Sequence, residues 1–310
     1  MSTPIAVVSA LVAALFLGTA SVADERSTKQ VKTERTLSPR ILLDLVRQPL
    51  WLIAMGANIV GFAFQVVALA FGSIAVVEPL LVFDLVFAVL IARFLRKRAG
   101  VQFPGGESSA RITLAGVGAT TVGVAGFLVI GQPSAGHANA GFAVLVPLVI
   151  GLTVVLGGCL AVASRNENLR PLALALACGV CFGVTAFAVK LLTSEFGAGP
   201  AMVFTNWPVY LLVVVGPAGF ILNENAFQQD RSLAPVQAII TSADPVISIG
   251  LGVLLLGVRL RSSPAEIFAE IASLLLMITG IVIVARAAPQ VTKPQAASPP
   301  AGVRRRRGGK

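Results

Sequence analysis

The sequence predicts an all-α polytopic membrane protein: about nine transmembrane helices, in two inverted four-helix repeats plus one linking helix. Three observations carry this expectation. Apolar residues make up 56% of the 310 positions and charged residues only 12%, with a mean hydropathy of +0.87, whereas a soluble domain carries about 25% charge. The apolar text falls into runs of about 18–25 residues, each long enough to cross a hydrocarbon core of about 30 Å as a helix. The net charge of +10 is gathered in short connections and in a C-terminal tail, the pattern of loops facing anionic lipid headgroups. In lipid, backbone polar groups must bond within their own segment, which favours helices. The runs are apolar all round and lack the alternation of a barrel strand. The same placement of charge argues against a nucleic-acid-binding role.

Taken in order, the spans fall at about 4–22, 49–71, 73–95, 112–131, 142–163, 171–192, 201–222, 234–258 and 265–286. The first could be a signal peptide, since Ser21-Val22-Ala23 offers small residues before Asp24. Its start, Met1-Ser2-Thr3-Pro4, lacks the positive charge such a peptide carries, so a retained span is expected. The second and third runs are separated only by Phe71-Gly72-Ser73. Lys and Arg counts orient the chain with the N-terminus outside and the C-terminus cytoplasmic. The 23–48 connection holds six of these residues, and Arg96, Lys97, Arg98 and Arg111 follow the third span, whereas 131–141 holds none. Arg259 and Arg261 disagree, falling on the outer side. From 287 to 310 the chain reads Pro, Ala, Ser, Gly and Arg, a composition that buries no core. Its Arg304, Arg305, Arg306 and Arg307 are expected to rest on membrane lipid.

The two halves share features. Gly18 in the first span aligns with Gly183 in the sixth, and Trp51 and Trp207 open the second and seventh. Ser73-Ile74-Ala75-Val76-Val77-Glu78 matches Ser232-Leu233-Ala234-Pro235-Val236-Gln237, bringing Asp84 and Asp244 within one residue of correspondence. The first repeat would cover about 4–131 and the second about 171–286, with 142–163 as the linking helix. An offset of five spans turns the second unit upside-down relative to the first, an arrangement typical of secondary transporters.

These stretches, Ala68-Leu69-Ala70-Phe71-Gly72-Ser73 through Glu78-Pro79-Leu80-Leu81-Val82 and Ser232-Leu233-Ala234-Pro235 through Asp244-Pro245, resemble the drug/metabolite transporter superfamily (EamA-like). The nine-span count and short outer N-terminus are similar to its NIPA-type magnesium transporter branch. The resemblance implies a solute carrier of the cell membrane and leaves the substrate open. No acidic cluster is specific enough to assign magnesium.

Asp84 and Asp244 are the leading candidates for a polar path. An ionisable group at bilayer depth costs roughly 2.5–3.5 kcal/mol, so it usually faces a wet cavity or a partner. A carboxyl can carry a coupling proton or contact a cation; the alternative is a helix-to-helix hydrogen bond. Pro245 is expected to weaken the helix beside Asp244, as broken helices at membrane depth form transporter sites. Glu78, before Pro79, either lines the path or caps a helix start. Asn58 and Gln65, seven apart on one face of the second span, together with Asn223, Glu224 and Asn225, could add hydrogen bonds to the cavity or join helices. Lys190 is expected to snorkel to the interface. Trp51, Trp207 and Tyr210 fit an interfacial aromatic belt.

Enzyme signatures are lacking. There is no phosphate-binding loop, nucleophile elbow or zinc spacing, and His137 is the single histidine. Cys178 and Cys181 form a C-x-x-C within an apolar helix, where small buried residues are the plainer reading. No cofactor is expected. The sequence thus favours a secondary carrier working by alternating access, with proton coupling as an option. A membrane scaffold and a lipid-headgroup translocator are the rivals. Partners would be a small solute or cation and membrane lipids, with a homodimer left open.

Overall fold

The computed structural model describes residues 3–28, 48–98, 106–131, 144–194, 206–228, 233–256 and 263–287. Ten helices occupy them, with no strand among the described residues: α1 (Thr3–Thr28), α2 (Pro49–Phe71), α3 (Ile74–Leu81), α4 (Phe83–Arg98), α5 (Gly106–Gly131), α6 (Leu145–Arg165), α7 (Arg170–Ser194), α8 (Trp207–Gln228), α9 (Leu233–Leu256) and α10 (Pro264–Ala287). Among the described residues, nine segments are long and apolar enough to cross a membrane, α3 and α4 counting together as one. By length and composition the chain is a multi-pass membrane protein. The stretch that orients the chain at 29–47, the 132–143 connection with His137, Arg259, Arg261 and the tail with Arg304 to Arg307 lie outside the described residues.

Local chemistry accounts for the helix ends. Pro49 begins α2, where a missing amide costs nothing. Gly72 ends it, its amide bonding the Ala68 carbonyl at 2.8 Å. Ser73 then turns extended and its carbonyl receives the amides of Val76 and Val77, starting α3 at once. Asn166 closes α6 and opens α7, its side-chain oxygen accepting from the amides of Asn168 and Leu169. Ser263 and Glu266 form a reciprocal capping box at the start of α10.

The third span is two helices rather than the single run its apolar text suggests. Pro79 cannot donate to the ladder, and the helix is interrupted at Val82, with α4 beginning again at Phe83. Pro245, where weakening was expected, lies instead within a continuous α9.

Packing sorts the helices into two similar groups. α1 packs on α2, α3 and α4; α7 packs on α8 and α9. Helix α7 is central, with 78% of its apolar stretch buried, whereas α6 leans on α7 with only 11% buried and presents Val146, Ile150 and Val154 outward. Helices α5 and α10 form the most intimate pair. A Cβ at Gly123 would collide with the Met277 backbone and one at Gly280 with Thr120, so the two backbones meet directly through glycine.

Two further expectations are corrected here. Lys190 is 9% exposed and does not reach outward; its ammonium donates to the carbonyls of Leu69 and Gly72, both at 2.7 Å. A cation held at the C-terminal end of α2 complements the helix dipole. Trp51 is buried at 5% exposure, off the outer surface an aromatic belt would need, while Tyr210 is largely exposed.

Candidate functional site: an acidic cavity between the two helix groups

A cavity of about 530 Å³ lies among helices of both groups. Its wall takes Asp24 from α1, Asn58 and Gln65 from α2, Glu78 from α3 and Asp84 from α4; from the other group come Asn223 of α8 and Asp244 of α9. Six of the seven residues expected on the polar path thus line one space. The seventh, Glu224, is not among the lining residues; it is buried at 1% exposure and within electrostatic reach of Asp24. Much of the remaining wall is apolar, including Leu17, Phe62, Leu81, Phe182 and Leu212.

The break after α3 positions Asp84. It falls in the first turn of α4, where free amides and the dipole favour negative charge, and its Oδ1 accepts from the Leu85 amide. On the other side of the cavity, Asp244 is within electrostatic reach of both Asp84 and Glu78. Glu78 is no helix cap: Ser73 holds that place, and Glu78 sits inside α3, 1% exposed, accepting from Gln65 Nε2 at 3.4 Å. Asn58 Nδ2 donates to Asp24 Oδ2 at 3.1 Å. The Cys178 thiol reaches Asn223 Oδ1 at 3.9 Å, and all three cysteines are free and buried.

Each half presents the same backbone contact behind its aspartate. A Cβ at Gly18 of α1 would collide with the carbonyl oxygen of Asp84, and one at Gly183 of α7 would fall 2.8 Å from that of Asp244. The glycines let the central helix of each group press against the residue that carries the acid.

Asp24 was absent from the residues the sequence singled out, because it ends the first apolar run and resembles an ordinary boundary. A carboxylate there, with Asn58 on a facing helix, is visible only in three dimensions.

The wall therefore holds four carboxyl groups and, among the described residues, no Lys, Arg or His. One oxygen each of Asp24, Glu78 and Asp244 is buried without a hydrogen-bond partner. Such a space favours protons or a cationic group. Among the described residues, no three His, Cys, Asp or Glu side chains are grouped to hold a metal ion.

No family model and no solved structure matches the chain. It is similar to an uncharacterized protein of Corynebacterium glutamicum, 27% identical over 288 residues, which spans 92% of this chain and 96% of that relative.

Proposed function

We propose that the protein is a secondary transporter of the drug/metabolite type, carrying a small solute across the cytoplasmic membrane by alternating access. One observation carries the reading: seven acidic and amide residues from distant parts of the chain meet in a single cavity bounded by both helix groups. Membrane-embedded carboxyls are costly unless a wet space or a ligand receives them. In this reading α1 with α2, α3 and α4, and α7 with α8 and α9, belong to two units of opposite orientation. Their matching glycine–aspartate contacts support such a repeat. Rocking of one group against the other would open the cavity to each side in turn. Asp84 and Asp244 would carry coupling protons or hold a cationic solute, with the N-terminus outside and the basic tail on the cytoplasmic side.

The test is solute flux in proteoliposomes under an imposed pH gradient, screened over amines, amino acids and divalent cations. A carrier accumulates at least one of them, and Asp84→Asn and Asp244→Asn each abolish it while inserting normally. Undiminished flux in both variants removes the aspartates from the mechanism. Absence of any flux, with loss of stability in the variants, favours a scaffold.

A further inference from the structure

Two amide–carboxylate pairs stand at different levels of the cavity wall. At one level Asn58 donates to Asp24 Oδ2; at the other Gln65 donates to Glu78 Oε1. Each bond uses one carboxylate oxygen and leaves the other, Asp24 Oδ1 and Glu78 Oε2, buried with no partner. Both side chains are nearly inaccessible, at 4% and 1% exposure, and both line the cavity. A buried acceptor without a donor is costly, so each level is short of one donor-bearing group.

The separation of the levels is set by one helix. Asn58 and Gln65 lie two turns apart on α2, about 10 Å along its axis at about 1.5 Å per residue. The wall between them is largely apolar: Phe62 comes one turn after Asn58 on the same helix, and Leu17 of α1 packs over Gly61, while the Ser21 hydroxyl, also on this wall, donates back to the Leu17 carbonyl of its own helix. Asp84 and Asp244 place further carboxyl groups on the Glu78 side. A compact cation would satisfy one level and leave the other unfilled. A metal ion would need ligands drawn close together, and no such group occurs among the described residues.

We infer that the cavity takes a linear α,ω-diammonium solute, with one ammonium at Asp24–Asn58, the other at Glu78–Gln65, and a methylene chain along Phe62 and Leu17. This deepens the carrier reading and rests on it. It explains why the wall joins acidic ends to an apolar middle: ammonium groups supply the missing donors, and the chain removes apolar surface from water.

Calorimetric titration of the purified full-length protein tests it, using α,ω-diaminoalkanes of increasing length from putrescine upward, a monoamine of matched length, and Mg²⁺. Affinity is expected to rise with chain length until the ammonium groups span about 10 Å. That diamine should bind at least about tenfold more tightly than the matched monoamine. Asp24→Asn and Glu78→Gln should each bring it down to the monoamine's affinity. The length series on the unaltered protein stands even if a variant misfolds. Equal affinity for diamine and monoamine, tighter binding of Mg²⁺, or no diamine binding overturns the inference. A protein that binds no diamine but exchanges another solute in proteoliposomes keeps the carrier reading and loses this one. Length-selective diamine binding without flux of any solute supports the site and overturns the carrier reading.

Discussion

Gly18 lies against the backbone carbonyl of Asp84 so closely that no Cβ fits between them. Gly183 stands in the same relation to Asp244, with a would-be Cβ 2.8 Å from its carbonyl oxygen. The first prediction follows from this contact. Gly18→Ala and Gly183→Ala should each destabilise the protein by about 1–3 kcal/mol, the usual range for overpacking, and should lower transport by moving α4 or α9. Gly151→Ala is the control, because nothing lies within 4 Å of the Cβ it would add. Thermal unfolding in detergent should show lower melting temperatures for the first two and none for the third. Equal melting temperatures for all three would mean the contact is looser than described.

The acidic residues were legible because a charge inside an apolar run is conspicuous. Asp84 and Asp244 stand out that way, and Asn58 and Gln65 share a face by simple helical spacing. Asp24 was not legible, since a carboxylate at the end of a run is what any helix boundary shows. The break at Val82 was hidden too, because the text from Ile74 to Leu95 has the mean hydropathy of one unbroken span, and hydropathy does not register a lost backbone hydrogen bond. Lys190 was misplaced for a related reason. Its partners, the carbonyls of Leu69 and Gly72, belong to another helix end more than a hundred residues away.

Asp24 gives the second prediction. If it belongs to the cavity's working set, Asp24→Asn should lower flux by at least about tenfold, equivalent to roughly 1.4 kcal/mol, with little change in melting temperature. Asn keeps the shape and an oxygen to accept from Asn58. Flux measured per folded molecule in proteoliposomes checks this. Full activity would reduce Asp24 to a helix-joining role with Asn58.

Lys190 gives the third. It supplies donors to two carbonyls in and just after the last turn of α2, and removing a donor from buried acceptors costs about 1–3 kcal/mol. Lys190→Met fills similar volume without donating. Hydrogen exchange should speed up over residues 66–72 in that variant, with smaller changes in α5 and α10. Unchanged protection at the end of α2 would contradict the contact.

The fourth separates stability from function. Helices α5 and α10 pack backbone to backbone through Gly123 and Gly280, and neither helix contributes to the cavity wall. Gly280→Leu should force them apart, because the new side chain meets Thr120 and Gly116 directly. Overpacking of this kind costs about 1–3 kcal/mol or more. The expected variant therefore melts earlier yet moves solute at a near-normal rate per folded molecule, measured at a temperature well below its transition. Asp244→Asn should behave in the opposite way, retaining most of its stability and losing flux. If Gly280→Leu instead abolishes flux while remaining folded, the α5–α10 pair takes part in the rocking motion and the moving unit is larger than the helices that bound the cavity.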